Sequence, residues 1–352
     1  MQPLVDVAVS PQGSYVGLIT QSGKLALWSG DLGRSIWSEP GISEHNVAVS
    51  DEMGYAIVYD QMNRIDRSIC LYRGSGQQPS SDEAVTPRPR RILRTVLDGA
   101  VWSTAVSFDG SYAACGTGSR QVCLFSLGPK PRVSAYPIDG ICNDIAFARN
   151  NQYVAIGLWN QSGVETMDMS GRLLWNYLAA NDRRYMVSIS PDSQHVLAVS
   201  YFNPQWSEPI ITLFENGGGV RWSHWLGANT SEPTIALGAN STISFASFTQ
   251  TVHLGQNMVP ERTLIALGPD GDVNWVHRGG VFFSLELICL TPDGTGIVAY
   301  DGNRTLYRLN SDGQVTAHYK LPAALQYWAS TYDHKHLLIY TTDSELTMLS
   351  VR

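Results

Sequence analysis

The sequence predicts an all-β fold, a single β-propeller of eight blades that mostly have four antiparallel strands each. A pattern of strand, tight turn, strand, loop and strand recurs about every forty residues through the 352-residue chain. A glycine four residues before a tryptophan recurs in the same phase. Charged residues are only 16%, while 32 glycines and 10 tryptophans favour many turns and short strands. Stacked blades bury both faces of each small sheet, which a lone sheet cannot do.

The turn between the first two strands sets the phase of each repeat. In the first repeat, Leu4–Ser10 alternates valines with a period of two, which indicates a strand. Ser10-Pro11-Gln12-Gly13 then predicts a turn, because proline presets φ and glycine tolerates the conformation that follows. The equivalent turn positions are Ser10, Ser50, Ser107, Ala148, Ser190, Gly238, Thr291 and Tyr332.

These positions divide the chain into eight repeats, and their extra length lies in insertions. Residues 74–91 are rich in Gln, Ser and Pro and are expected to form a flexible loop within the second blade. The eighth repeat ends after its third strand, so we expect a three-stranded last blade or a truncated terminus; seven blades with one irregular repeat is the alternative. The predicted repeats span about 1–41, 42–99, 100–140, 141–184, 185–232, 233–280, 281–324 and 325–352.

The glycine–tryptophan spacing marks the last strand of a blade. Glycine permits a tight turn into the strand, and tryptophan then covers apolar surface near the rim of the blade. Gly313 keeps the spacing, but Ala317 replaces the tryptophan. The complete pairs are Gly33/Trp37, Gly171/Trp175, Gly218/Trp222 and Gly271/Trp275.

On these motifs the chain resembles the WD40/quinoprotein-like (PQQ-like repeat) β-propeller superfamily of prokaryotic repeat proteins. The resemblance rests on two motifs: the G-x-x-x-W endings, and the S-P-D-G-like turns at Ser10, Ser107, Ser190 and Thr291. The resemblance covers nearly the whole chain and implies a fold, because both motifs are structural. The Gly-His and Trp-Asp pairs of WD40 repeats are absent, and no matching calcium-binding or quinone-binding set is present.

Charge and hydropathy exclude several classes of function. The net charge of −7 gives no overall field that favours nucleic acid or an anionic membrane. No run of 18 apolar residues occurs, so we expect no membrane span. The first residues enter a strand at once, which favours a cytoplasmic protein; export is the alternative if an N-terminal signal has been removed.

The five cysteines do not form a disulfide framework, because their number is odd and their spacing irregular. Cys115 and Cys123 flank one predicted hairpin, across which they could face each other. The simpler interpretation is that all five are buried free thiols.

The strands of a blade are labelled a to d, and the b–c loops and d–a connections emerge on one face of a propeller. Long b–c loops are expected at Asp60–Arg67, Leu158–Ser162, Tyr201–Pro209 and Thr249–Arg262. Arginine and large apolar side chains dominate protein-binding hot spots, and loops on a rigid scaffold often carry function. The predicted partner-binding residues are Arg64, Arg67, Arg120, Trp159, Phe202, Trp206, Met258, Arg262 and Arg304.

The d–a connections lead to the central channel and offer a second kind of site. A polar and aromatic ring at a channel mouth is able to bind a small ligand. The predicted channel-mouth residues are Glu44, His45, Trp102, Asp144, Arg184, Tyr185 and Trp328.

Catalytic motifs are missing from the sequence. No G-x-S-x-G, HExxH or Walker-type loop occurs, and the eight histidines are scattered. We therefore predict a non-enzymatic scaffold without a cofactor or metal, which binds another protein in a multi-subunit assembly. The alternative is a propeller that binds a small ligand or cofactor, or acts as an enzyme, at the channel mouth.

Overall fold

A computed structural model gives the architecture of the chain. It describes residues 3–40, 46–51, 55–59, 68–73, 89–161, 163–179, 183–201, 208–228, 230–254, 257–278 and 286–351. These residues are almost entirely β-structure, with one 3-10 turn at Ala239–Ser241. They form eight antiparallel sheets, so the fold class is the predicted eight-bladed β-propeller.

The contacts divide the chain into two compact units. Unit 1 comprises Met1–Ile138 and Leu325–Val351, and unit 2 comprises Asp139–Ala324.

Unit 1 holds the first three sheets and the last one. The first sheet has β1 (Leu4–Val9), β2 (Tyr15–Thr20), β3 (Lys24–Ser29) and β4 (Ser35–Pro40). The second has β5 (Asn46–Val49), β6 (Ala56–Tyr59), β7 (Ser68–Arg73) and β8 (Arg90–Val96). The third has β9 (Val101–Val106), β10 (Tyr112–Thr117), β11 (Gln121–Ser126) and β12 (Arg132–Pro137). The last has only three strands, β29 (Leu325–Ser330), β30 (His336–Thr341) and β31 (Leu346–Ser350).

Unit 2 holds four complete sheets. The fourth sheet has β13 (Ile141–Phe147), β14 (Tyr153–Trp159), β15 (Gly163–Asp168) and β16 (Leu173–Leu178). The fifth has β17 (Arg184–Ile189), β18 (His195–Tyr201), β19 (Ile210–Glu215) and β20 (Val220–Trp225). The sixth has β21 (Thr230–Leu237), β22 (Ser244–Leu254), β23 (Asn257–Leu267) and β24 (Val273–Arg278). The seventh has β25 (Glu286–Leu290), β26 (Ile297–Tyr300), β27 (Thr305–Leu309) and β28 (Val315–Lys320).

The core of each unit lies between successive sheets. In unit 2, Leu197 and Leu213 of the fifth sheet pack with Phe248 and Ile265 of the sixth. In unit 1, Leu4 and Val16 of the first sheet pack with Leu338 and Tyr340 of the last. Because each sheet is apolar on both faces, it must be covered on both sides, and stacking of sheets satisfies this requirement.

Two predicted boundaries differ from the structure. Arg90 and Arg91 belong to β8, although the sequence placed them in the loop 74–91; residues 74–88 lie outside the described part of the chain. The predicted loop Thr249–Arg262 is largely β-structure, because β22 and β23 continue as a paired ribbon from Gln250↔Glu261 to Leu254↔Asn257. Pro260 is tolerated in a two-stranded ribbon because one side of the strand needs no hydrogen bonds.

The glycine–tryptophan motif joins one sheet to the next. A Cβ at Gly271 would lie 2.8 Å from Trp222, whose own sheet precedes that glycine. Gly271 has φ +85°, so it satisfies both a left-handed turn and a close approach to the indole. The same relation holds for Gly218 with Trp175 and for Gly313 with Trp275.

This relation explains the irregular seventh repeat. Gly313 packs against Trp275 of the preceding sheet. Its place in the sequence therefore does not depend on a tryptophan four residues later in its own sheet. Every side chain of β28, Ala317 included, is exposed.

Candidate functional site

The a–b ends of the sheets carry one repeated hydrogen-bond motif. The Ser190 hydroxyl donates to Asp192 Oδ1 at 2.5 Å and accepts the His195 amide at 3.0 Å. A carboxylate two residues after the hydroxyl thus closes the turn and satisfies its backbone donors. The corresponding pairs are Ser107/Asp109, Thr291/Asp293 and Thr331/Asp333.

In the first sheet, a neighbouring sheet supplies the missing carboxylate. Gln12 stands where four other repeats have aspartate, and Asp51 of the second sheet takes over the role of that carboxylate. Asp51 accepts hydrogen bonds from the Ser10 hydroxyl at 2.6 Å, from Gln12 N at 2.7 Å and from Ser14 N at 3.1 Å. The a–b ends therefore belong to the scaffold, because these polar side chains make their hydrogen bonds within the protein.

Asp144, a predicted channel-mouth residue, links two first strands of unit 2. Its carboxylate accepts the amide of Ile145 at 2.9 Å and that of Val187 in the next sheet at 2.9 Å. Asp6 of unit 1 makes the equivalent bonds, to Val7 N at 2.9 Å and to Val47 N at 2.8 Å. Each aspartate follows a register shift in its strand, which brings the carboxylate to the neighbouring backbone.

Unit 1 contains a cavity of about 380 Å³ between its first strands, here called the first-strand cavity. Asp6, Asn46, Tyr59 and Thr104 supply polar groups to its lining, and valines and alanines supply most of the rest. Burial raises the pKa of Asp6 to about 6, although hydrogen bonds from Val47 and Val7 oppose this shift. Burial raises the pKa of Tyr59 to about 12, and its hydrogen bond with Thr104 opposes the rise.

The b–c ends of unit 2 carry an arginine stacked on a tryptophan. Arg184 Cζ lies 4.2 Å from the centre of the Trp159 ring, and both side chains are half-buried. The stack brings together Trp159, which was predicted to bind a partner, and Arg184, which was predicted for the channel mouth. Tyr185 beside it is buried, and its backbone carbonyl accepts a hydrogen bond from the side-chain Nδ2 of Asn143 at 3.0 Å.

Arg183 anchors the loop next to this stack. Its guanidinium Nη1 donates to the carbonyl of Glu208 at 2.6 Å and to the Ser200 hydroxyl at 3.3 Å. The side chain is buried, so it fixes the end of the b–c loop of the fifth sheet against the preceding d–a connection.

The ribbon of β22 and β23 is the longest b–c hairpin in the described part of unit 2. Each strand has 11 residues, while β21 pairs with β22 only as far as Gln250 and β24 pairs with β23 only as far as Thr263. The residue pairs from Thr251↔Pro260 outward are therefore held by the two strands of the ribbon alone. Arg262, another predicted partner-binding residue, lies at the base of this ribbon and is half-buried.

The remaining predicted residues lie in separate places. Arg120 and Arg304 are exposed at b–c turns, each with a positive φ, and Arg304 Nη1 reaches the Pro322 carbonyl at 3.5 Å. Trp102 lies against Gly118 of its own sheet, and Trp328 is 37% exposed on β29. Six predicted residues lie outside the described residues, as does the side chain of Met258: Glu44, His45, Arg64, Arg67, Phe202 and Trp206. A role of these residues in partner or ligand binding stays a prediction.

A buried carboxyl group lies near the same end of the fourth sheet. Glu165 is 2% exposed, and its Oε1 accepts the Asp139 amide at 2.9 Å. Burial raises the pKa of Glu165 to about 7; the Asp139 amide opposes the rise, and the Asp139 carboxylate adds to it.

Sequence reasoning missed Asp6, Tyr59 and Thr104. For Asp6 a signal existed, because it is a charge within an apolar strand and stands four residues before the turn serine, as Asp144 stands before Ala148. Tyr59 and Thr104 carry no such signal, because each stands in an ordinary alternation of apolar and polar residues along its strand.

Two broader searches concern only the described residues. Among them, no group of three or more His, Cys, Asp and Glu side chains is arranged to hold a metal ion. That part of the chain also contains no helix with the length and apolarity needed to cross a membrane.

Comparison with known proteins shows which solved structures share this fold. No protein-family profile and no curated protein matches the sequence. The structure is similar to Sqt1 of Chaetomium thermophilum bound to the N-terminus of the ribosomal protein L10, with a TM-score of 0.71 and 12% identity over 99% of this chain and 97% of that one. It is also similar to the Dos1 propeller, with a TM-score of 0.70 and 10% identity over 99% and 92% of the two chains.

The chain has the fold of the WD40 β-propellers. A further similar structure is a chain of hydrazine synthase from Kuenenia stuttgartiensis, with a TM-score of 0.60 and 10% identity over 100% of this chain and 97% of that one. At these identities the likeness extends to the fold alone. The WD40-like half of the expected resemblance is thus confirmed, and no finding supports the quinoprotein-like half.

Proposed function

We propose that the chain is a non-enzymatic scaffold that binds another protein, as part of a multi-subunit assembly, at the b–c ends of the unit 2 sheets. The observation that carries the proposal is the ribbon of β22 and β23, which continues beyond the strands that flank it. An isolated two-stranded ribbon is marginally stable in water, so packing on a partner would stabilise it.

The stacked pair of Trp159 and Arg184 supports the same surface. Tryptophan and arginine are the residues most enriched at binding hot spots, and their stacking fixes both side chains before a partner arrives. Arg183 adds rigidity, because it holds the adjacent loop end through Glu208. WD40-type neighbours such as Sqt1, which is seen with a ribosomal-protein segment, show that this fold can present a protein-binding surface.

Shortening the ribbon tests the proposal. Replacing Thr251–Pro260 by Asn-Gly joins Gln250 to Glu261, which are paired in the ribbon, through a two-residue hairpin turn. The wild-type chain is used to capture partners from extracts of its own source, and the recovered partner is then titrated by calorimetry. We expect the shortened variant and Trp159→Ala each to bind at least about tenfold more weakly, a loss of about 1.4 kcal/mol.

Leu173→Ala is the control, since Leu173 is 47% exposed at the start of β16, at the opposite end of the fourth sheet, and should leave binding unchanged. The proposal fails if the captured partner binds the shortened variant as tightly as the wild type, or if no partner is captured at all.

A second candidate function is the binding of a small ligand in the first-strand cavity of unit 1. Its support is the convergence of Asp6, Asn46, Tyr59 and Thr104 on about 380 Å³ of space. A carboxylate, an amide and a phenol suit a small ligand with an amine or several hydroxyl groups. Thermal-shift screening of such compounds tests this function: stabilisation that Thr104→Val weakens supports it, and no stabilisation by any compound counts against it.

A further inference from the structure

Two of the five cysteines face each other across neighbouring strands of the third sheet. Cys115 of β10 and Cys123 of β11 are directly opposed in the antiparallel register. Opposed residues in such a pair point to the same side of the sheet, with Cα atoms about 4.5 Å or 5.5 Å apart depending on the site in the ladder. Both separations fall within the range of about 4.4–6.8 Å that a disulfide bond spans.

The two thiols already interact in the reduced protein. A hydrogen bond from Cys115 lowers the pKa of Cys123, while burial opposes this effect. Burial raises the pKa of Cys142, where the charge of Asp144 adds to the rise, and burial alone raises the pKa of Cys289 to about 12. The thiolate, which is the nucleophile in thiol oxidation, therefore forms more easily at Cys123 than at Cys142 or Cys289.

The first-strand cavity lies one side chain away from the pair. Cys115 is directly opposite Thr104 on β9, and Thr104 lines the first-strand cavity. Cys115 and Cys123 are themselves buried. A small oxidant that enters the cavity therefore has a short route to these thiols, whereas a bulky reagent has none.

We propose that Cys115 and Cys123 form a redox-active dithiol that closes to a disulfide when a peroxide oxidises it. The Cys123 thiolate attacks one peroxide oxygen, the O–O bond breaks, and the sulfur becomes a sulfenic acid as the departing oxygen leaves as water. The Cys115 sulfur then attacks the sulfenic sulfur, forms the S–S bond and releases a second water. Two thiols lose two electrons, and the peroxide gains them.

The resulting bond joins adjacent strands of a pleated sheet. A disulfide opens again by exchange with a thiolate, so a dithiol reductant that reaches it restores both thiols. The pair is therefore suited to reversible oxidation, and it differs in this from a permanent structural cross-link. The site is independent of the surface proposed for protein binding, which lies in unit 2.

Thiol counting after hydrogen peroxide treatment tests the proposal. The folded full-length protein is treated with peroxide, denatured, labelled with a maleimide and analysed by mass spectrometry. We expect loss of two of the five thiols, a linked peptide containing Cys115 and Cys123, and complete recovery of five thiols after dithiothreitol. Cys115→Ala and Cys123→Ala should each abolish the linked peptide.

A triple variant with Cys70, Cys142 and Cys289 all changed to Ala keeps only the pair and should still lose both thiols. This variant keeps the test decisive if either single variant fails to fold. Cross-links that involve the other three cysteines, irreversible sulfinic acid at Cys123, or retention of all five thiols at peroxide levels that oxidise a small-molecule dithiol would each overturn the proposal.

Discussion

The two ends of the sheets in this protein differ in how closely their connections keep to a repeated turn. At the a–b ends, Ser190 and Asp192 close a turn on each other, and the same pair of residue types recurs in several sheets. At the b–c ends, the short turns of the first, third and last sheets also repeat a motif, in which a threonine hydroxyl pairs with the side chain two residues later, whereas the sixth sheet extends as the ribbon of β22 and β23. Features that repeat serve the scaffold, because every blade has the same folding requirement. Features that do not repeat are free to serve recognition.

If this contrast holds, the motif tryptophans should give the largest losses of stability. Trp222→Ala should lower the free energy of unfolding by about 3–5 kcal/mol, because the ring is 8% exposed and packs between two sheets. Trp225→Ala, three residues along the same strand, should change it by about 0.5 kcal/mol or less. Guanidinium unfolding of both variants measures the difference, and similar losses would contradict the role of the motif.

The contrast can be sharpened at the glycine that contacts this tryptophan. Gly271→Ala should cost about 1–3 kcal/mol, because an alanine is strained at φ +85° and its Cβ would lie 2.8 Å from the indole. In the Trp222→Ala background the cost should fall, since only the backbone strain remains. Gly217→Ala, whose Cβ would meet nothing within 4 Å, is the control. An unchanged cost in the double variant would show that the close approach is irrelevant.

Near the b–c end, the buried Glu165 should make stability depend on pH. Its folded-state pKa of about 7 lies above the ordinary value of 4.5, so the stability from its protonated form is fully present below pH 4.5 and is lost as the pH rises through 7. Glu165→Gln should therefore be more stable than the wild type by about 1–3 kcal/mol at pH 8 and equal to it near pH 4. Unfolding curves at the two pH values measure this, and a gain that is independent of pH would refute the assignment.

The smallest expected effect belongs to the carboxylate that crosses between two sheets. Asp51→Ala removes three hydrogen bonds from the turn at Ser10 and should cost about 1–2 kcal/mol. Gln12→Asp in that variant places a carboxylate two residues after the serine, as at Asp192, and should restore most of the loss. Failure of this rescue in urea unfolding would mean that Asp51 acts through something other than the turn motif.

The scaffold was predictable because its residues follow local rules. The turn serines and the glycine–tryptophan spacing fixed the phase of the repeats, and the structure confirms eight antiparallel sheets in the described residues. The sequence alone did not explain why Gly313 is kept although its own strand lacks the tryptophan. The glycine packs against Trp275 of the preceding sheet in the same unit.

The candidate sites were less predictable because they depend on contacts between repeats. The stacking of Arg184 on Trp159 joins two sheets, and Asp51 completes a turn some forty residues earlier. The ribbon strands of the sixth sheet were predicted as a loop, because the repeat length places residues 249–262 in an insertion between the second and third strands. Local patterns specify turns and strands, whereas the partners of polar side chains across sheets are set by tertiary packing.

Hydrogen–deuterium exchange of the chain with and without its captured partner tests the central claim most directly. We predict that protection gained on binding is confined to the ribbon of β22 and β23 and to the strand ends around Trp159 and Arg184, with no change at the turns of Ser107 and Ser190. Protection concentrated at those turns instead would contradict the assignment of recognition to the b–c ends.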